Sequence, residues 1–295
     1  MKNFSTSARL FSRDFSINVK GELFDLSRPV VMGILNATPD SFYEGSRLPD
    51  ADSAVEKAHT MLEQGARILD LGAISTRPGA ADVTEEEEIR RLDPLLGALR
   101  KNLPDAIISL DTWRSGVVRS MHEHYHIDIV NDISAGALDP HLLETVARLG
   151  LPYILMHMQG TPRDMQQNPV YKNVVDDLLR FFGERIGLLK KAGLNDIIID
   201  PGFGFGKTLE QNYCLLSHLD DFRILELPLL AGLSRKSMLY KAIECTASEA
   251  LNATTAANMA ALMKGASILR VHDVKAAAEA IGIFEHIVNN DRPRP

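Results

Sequence analysis

The sequence predicts an α/β protein, a single (β/α)8 barrel (TIM barrel) over residues 1–295, in which residues 1–27 form an N-terminal extension or a short β-hairpin. Three observations carry that prediction. Eight short apolar runs alternate with helical patterns, glycines recur where helices turn back into strands, and every run terminates in a polar group. Eight βα units in one chain fit a closed barrel, with a doubly wound open sheet as the second choice. Of the 295 residues, 45% are apolar and 24% charged, and no linker rich in Gly, Ser or Pro divides them. One core and one domain are the expectation.

A hairpin is expected within residues 15–25. The eight runs follow as Val30–Leu35, Ile68–Leu71, Ile107–Leu110, Ile129–Val130, Tyr153–Met156, Ile197–Ile199, Leu229–Ala231 and Ile268–Val271, rich in the residues of strands covered on both faces. Between them the spacing predicts helices. In residues 51–64, Ala51, Ala54, Val55, Ala58, Met61 and Leu62 form one apolar stripe. Thr84 with Glu87 predicts a capping box, and Pro94 should kink or split the helix that follows. Gly65, Gly150, Gly193 and Gly265 each precede a strand, where a helix end needs left-handed backbone. Gln64–Leu71 and Lys264–Val271 resemble each other, as repeated βα units would.

The residues ending the runs are Asn36, Asp70, Asp111, Asn131 with Asp132, His157, Asp200, Ser234, and His272 with Asp273. In a barrel they ring the C-terminal mouth, where enzymes of this architecture place their chemistry. His122, His124 and His126 precede a strand instead, so they belong at the opposite end, as a solvated helix terminus. The stretch Pro201-Gly202-Phe203-Gly204-Phe205-Gly206-Lys207-Thr208 fits neither nucleotide motif. A Walker A loop needs Gly where Pro201 stands, and a dinucleotide fingerprint needs its third Gly one residue later. It reads as a flexible turn bringing backbone and Phe205 to the mouth.

A formal net charge of −7 advertises neither nucleic acid nor anionic membrane, leaving small molecules as the expected ligands. The two cysteines, Cys214 and Cys245, have neither metal-type spacing nor the density of a disulfide scaffold. No apolar run is long enough to span a bilayer and no signal-peptide pattern opens the chain, so the expected location is the cytoplasm.

Two long motifs add a resemblance. Met32-Gly33-Ile34-Leu35-Asn36-Ala37-Thr38-Pro39-Asp40-Ser41-Phe42 resembles the first signature of dihydropteroate synthases, and Ser75-Thr76-Arg77-Pro78-Gly79 resembles the second. Further matches run through Asp111-Thr112, Asn131-Asp132, Met156-His157, Asp200–Thr208, Ser234-Arg235-Lys236-Ser237 and Arg270-Val271-His272-Asp273, covering about residues 28–288. The resemblance implies condensation of a dihydropterin pyrophosphate with p-aminobenzoate in folate biosynthesis, by a cytoplasmic, homodimeric, sulfonamide-targeted transferase that uses Mg2+.

It implies roles as well. Asp111, Asn131, Asp200 and Lys236 would read the pterin edge, Arg270 would stack on its ring, and Ile133, Met156 and Phe205 would form apolar walls. Asn36 would hold the metal with the pyrophosphate, aided by Arg77, Arg270 and His272. Thr76, Arg77, Pro78, Phe205, Ser234 and Lys236 would surround p-aminobenzoate, with Asp111, Lys236, Arg77 and His272 as the catalytic set. Two departures stand out. Tyr43-Glu44-Gly45-Ser46 replaces the family's usual Ser-Asp-Gly-Gly, which puts a second metal contact at Glu44 in doubt, and Ala73-Ile74 replaces Gly-Glu. A methyltetrahydrofolate:corrinoid methyltransferase shares the Asp and Asn residues but has no use for the Ser75–Gly79 and Ser234–Ser237 motifs. A pterin-binding paralogue without turnover would have no need of Asn36, Arg77, Asp111, Lys236 and His272 together.

Overall fold

In the computed structural model, residues 15–36, 51–74, 83–162 and 164–290 are described. Strands β1 (Ser16–Val19) and β2 (Glu22–Asp25) form an antiparallel hairpin, turned by Lys20 and Gly21 at positive φ of 55° and 83°, as a two-residue primed turn requires. Eight parallel strands follow: β3 (Val30–Asn36), β4 (Ala66–Gly72), β5 (Ile108–Asp111), β6 (Ile129–Asp132), β7 (Tyr153–Met156), β8 (Ile197–Asp200), β9 (Leu230–Ala231) and β10 (Ile268–Val271). Their order is β8-β7-β6-β5-β4-β3-β10-β9, and a parallel bridge between Ile199 and Leu229, with the Ile199 N–H donating to Pro228 O at 3.0 Å, joins the two ends. That seam makes the ring a barrel instead of an open sheet.

Among the described residues the helices are α1 (Ala51–Glu63), α2 (Glu85–Asn102), α3 (Ser115–Tyr125), α4 (Leu142–Leu149), α5 (Val174–Lys191), α6 (Leu209–Ser217), α7 (Ser237–Ala242), α8 (Leu251–Met263) and α9 (Val274–Asn289). The stripe on α1 packs as its spacing demands, with Ala54, Ala58 and Met61 buried. Gly65, Gly150, Gly193 and Gly265 all take positive φ. Two local expectations change. Thr84 caps α2 by accepting from the Glu87 N–H at 3.2 Å, but the Glu87 carboxylate turns to Arg90 and Arg91 at 2.7–2.8 Å, so the box is only half made. The helix also runs unbroken through Pro94, because that residue lies on the exposed side while Leu92, Leu95, Leu96 and Leu99 bury the other. The Arg90 carbonyl that Pro94 cannot serve can be satisfied by water.

The strands divide the core in two by their period of two. Val31, Leu35, Leu69, Leu71, Ile108, Leu110, Val130, Leu155, Ile197, Ile199, Leu269 and Val271 pack outward under the helices. Their alternates Val30, Met32, Ile68, Ile129, Ile154, Ile198, Leu230 and Ile268 fill the barrel's lower interior, and Ile17, Val19, Phe24 and Leu26 of the hairpin segment plug it from below. At the same end Arg100 donates to Tyr125 O, Ala106 O, His126 O and Asp128 Oδ2 at 2.6–2.8 Å, while Asp128 Oδ2 also accepts from the Ile108 N–H at 2.7 Å. One guanidinium thus ties α2, α3 and the starts of β5 and β6 together. Arg100→Ala should lower stability by about 2–4 kcal/mol, since it takes four hydrogen bonds from a buried carboxylate and three carbonyls and leaves Asp128 with the Ile108 N–H and the more distant Lys20. Urea unfolding checks this, and a shift in midpoint worth under about 0.5 kcal/mol, the scale of an ordinary surface change, would show the clamp to be idle.

Candidate active site

The same alternation sorts the polar strand ends. Residues in step with Ile68, Ile107, Ile129, Ile154, Ile198 and Ile268 face the barrel interior, which places Asp70, Ser109, Asp111, Asn131, Met156, Asp200 and Arg270 inside, with Ser234 and the exposed His272 past the ends of their strands. Residues out of step face the helices. Asp132 is one of these, fully buried and accepting from the Ser134 and Gly136 N–H groups and the Tyr153 hydroxyl at 2.6–2.7 Å. Asp273 is another, paired with Arg235 at 2.8 and 2.9 Å. Both hold loops together, so they leave the expected ring.

The centre of the interior is a charge cluster. Arg270 donates from Nε to Asp70 Oδ2 at 2.6 Å and from Nη2 to Asp111 Oδ2 at 2.7 Å. Asp70 also accepts from Ser109 Oγ at 2.7 Å and from Asn131 Nδ2 at 3.1 and 3.3 Å. Burial pushes the Asp111 carboxyl up to about 7; Arg270 opposes the rise and Asp70 reinforces it. Two flanking carboxylates raise the Arg270 guanidinium despite its own burial, so it stays charged. Asn36 ends β3 beside Gly72, and at the rim Ser234 Oγ lies 3.1 Å from His272 Nδ1.

Asp200 and Lys236 make the opposite wall. Asp200 Oδ1 accepts from the Gly202 N–H at 2.8 Å; burial raises its carboxyl, against the pull of Lys236. Burial lowers Lys236 to about 8, its Nζ donates to Phe203 O, and it stands 4.7 Å from the centre of the Phe205 ring. The glycine-rich stretch below is pinned, unlike the flexible turn expected. Lys207 Nζ, buried, donates to His157 Nδ1 at 3.1 Å, His157 O at 3.3 Å, and Gly202 O and Phe205 O at 3.0 Å. Burial brings Lys207 down to about 7, and burial with the Lys207 charge holds His157 to about 3, so the imidazole is a neutral acceptor. His157 therefore serves this cage and not the mouth. Gly202 has φ of +69°, and a Cβ there would sit 2.0 Å from His157 O, so only glycine lets the two loops touch. Thr208 caps α6 in a full capping box with Gln211.

The structure gathers Asp111, Asn131 and Arg270 around Asp70 and sets Asp200 beside Lys236 and the half-buried Phe205, while Met156 lies against Gly202 and Ile133 is buried. Thr76, Arg77, Pro78 and Glu44 lie outside the described residues. Ala73 is fully buried with its carbonyl accepting from Arg91 Nη1 at 3.2 Å, so the Gly-to-Ala departure is accommodated. Asp70 belongs to the expected ring but has no substrate role assigned by the resemblance, and Lys207 has no place in either. Strand parity, by which Asp70 falls in step with Ile68, carried the signal for the first; Lys207 left none beyond its place after three glycines. His122 and His124 bond to carbonyls of Ile127 and Ser120 at the C-terminal end of α3, away from the mouth.

A family described as pterin binding enzyme matches residues 32–272. Dihydropteroate synthase of Escherichia coli K12 is 44% identical over 268 residues, which is 90% of this chain and 94% of that protein. The crystal structure of the Yersinia pestis dihydropteroate synthase with a sulfonamide drug superposes at a TM-score of 0.87, with 43% identity over 93% of this chain and all of the other. The Xanthomonas albilineans dihydropteroate synthase in complex with 7,8-dihydropteroate superposes at 0.83, with 34% identity over 95% of this chain and all of the other.

The lysine cage yields a test. Lys207→Met keeps the length of the side chain but removes the ammonium from four acceptors, of which Gly202 O keeps the Phe205 N–H at 3.0 Å, so stability should fall by about 2–4 kcal/mol. Chemical denaturation measures it, and a variant as stable as the parent would show that the cage bears no structural load.

Proposed function

The chain belongs to the pterin-binding enzyme family, and from that premise we infer that it acts as a dihydropteroate synthase, condensing 6-hydroxymethyl-7,8-dihydropterin pyrophosphate with p-aminobenzoate to give 7,8-dihydropteroate and pyrophosphate. The observation that carries this reading is the polar layer inside the barrel mouth: Asp111, Asn131, Asp200, Lys236 and Arg270, donors and acceptors converging where the lower interior is otherwise apolar. A pterin edge offers both N–H donors and carbonyl or ring-nitrogen acceptors. Asn131 and Asp200 suit the donors, Lys236 suits the acceptors, and the flat Arg270 guanidinium suits the ring face.

In the reaction the aromatic amine bonds to the exocyclic methylene carbon as the carbon–oxygen bond to pyrophosphate breaks, and the amine loses a proton. Positive charge builds on the pterin as that bond breaks, and Asp111 supplies the negative charge beside it. The family resemblance assigns Asn36, Arg77 and His272 to the leaving group, and Thr76, Arg77, Pro78, Ser234, Phe205 and the Lys236 stem to p-aminobenzoate. The Asn36 amide oxygen is a hard donor of the kind Mg2+ takes. With oxygens from phosphate and water it would suit Mg2+, which when bound would neutralise the departing pyrophosphate.

No helix among the described residues is long and apolar enough to cross a membrane; the net charge of −7 suits small-molecule ligands, and a cytoplasmic location belongs to the same reading. A homodimer completes the reading: Leu251 and Met263 on α8 and Ile283 and Ile287 on α9 are exposed and offer it an apolar face.

Incubation with the pterin pyrophosphate, p-aminobenzoate and Mg2+ should yield dihydropteroate and pyrophosphate in equal amounts; pterin binding without product would refute the enzymatic assignment. Asp200→Asn should weaken binding of a phosphate-free pterin by about 2–4 kcal/mol, because a donor then confronts the pterin N–H groups. Unchanged affinity by calorimetry would remove Asp200 from the pocket. Arg77→Ala should leave that affinity intact and lower turnover by about a hundredfold or more, as loss of a contact made while charge develops does. Near-normal steady-state rates would take Arg77 out of the chemistry.

A further inference from the structure

Asp70 has no place in the roles above, yet it holds two of the residues that do. Its carboxylate is fully buried. Ser109 Oγ donates to Oδ1 at 2.7 Å, Arg270 Nε donates to Oδ2 at 2.6 Å, and Asn131 Nδ2 lies 3.3 and 3.1 Å from the two oxygens. An ionised carboxylate has about four acceptor sites and no donor. Three donors on fixed strands occupy it from β5, β6 and β10, so it has no exposed face left for a substrate. Whatever Asp70 contributes to binding passes through its neighbours.

We propose that Asp70 is the positioning residue of the pterin site, one buried carboxylate that fixes the Asn131 amide and the Arg270 guanidinium in a single orientation. The inference rests on the dihydropteroate synthase reading of the mouth. An acceptor-only partner obliges Asn131 to turn its Nδ2 toward Asp70, which leaves Oδ1 as the end that accepts an N–H from the ligand. Without Asp70 the amide can flip and present a donor instead. Arg270 has a second carboxylate in Asp111, so it would keep its charge but lose one of the two contacts that set the plane of its guanidinium. Asp70 thereby determines specificity for a flat ring with donors on its edge while never touching that ring.

Asp70→Asn is the direct test, because it keeps the shape and places an NH2 group among donors. In the folded variant, calorimetry with 6-hydroxymethylpterin should show affinity about tenfold to a hundredfold weaker, while KM for p-aminobenzoate stays within about twofold. Asn131→Ala should also weaken the pterin, and the two losses together should be at least about threefold smaller than their product, since Asp70 acts through Asn131. If Asp70→Asn does not fold, Ser109→Ala removes only the hydroxyl that steadies the carboxylate; it should cost the same pterin affinity about threefold and spare p-aminobenzoate. Unchanged pterin affinity in folded Asp70→Asn, or in Ser109→Ala where it stands in, overturns the proposal, as do losses that simply multiply. Unchanged affinity in Asn131→Ala would instead bring down the pterin reading of the mouth, and the proposal with it.

Discussion

The site depends on a buried cation held between two carboxylates. Arg270 lies inside the barrel, 21% exposed, against Asp70 and Asp111 at 2.6 and 2.7 Å. A pair of charges in such a place costs several kcal/mol of desolvation per ion, and apolar side chains of the same volume would give as stable a barrel. The cluster is therefore ill explained as a stabilising device. It makes sense as a preorganised surface, in which Arg270 keeps its charge and plane, Asn131 keeps its orientation, and Asp111 carries a carboxyl whose charge is sensitive to its neighbours. The apolar layer beneath, plugged by the N-terminal hairpin, gives this polar layer a rigid floor.

The second wall follows another route to the same end. Asp200 ends β8 and Lys236 precedes α7, and the loop after Asp200 is fixed by a lysine cage and by a glycine whose missing Cβ lets the loop touch His157 O. The backbone carbonyls of Phe203 and Phe205 are thereby committed to Lys236 and Lys207. What the ligand meets on this side is a carboxylate, an ammonium and an aromatic face, and no loose loop.

Much of this was legible in the residues. Tyr153–Met156 and Ile268–Val271 end where the apolar runs end, and the other six runs lie on observed strands, because β-branched stretches bounded by Gly, Pro and polar groups have few other solutions. Two consequences of packing were not legible. Asp132, His157 and Asp273 look like mouth residues until strand parity turns them toward the helices, and parity needs the exact start of each strand, the least certain part of a periodic pattern. Lys207 owes its role to His157, 50 residues away in the chain, which no local spacing announces, and Asp70, whose place at the mouth is legible, takes its particular role from Asn131, 61 residues away. Glu87 shows the same limit at short range: its sequence fits a capping box, but two arginines on the next turn outbid the Thr84 N–H.

The central claim is that the inner polar layer reads a pterin ring from one fixed geometry. A crystal structure of the protein with a pterin pyrophosphate analogue and p-aminobenzoate tests it most directly. The account predicts the pterin edge on Asn131, Asp200 and Lys236, its face on Arg270, and the Asp70, Ser109, Asn131 and Arg270 contacts unchanged from those described above. A pterin bound elsewhere on the barrel, or bound at the mouth with Asn131 and Arg270 swung away from Asp70, would contradict it.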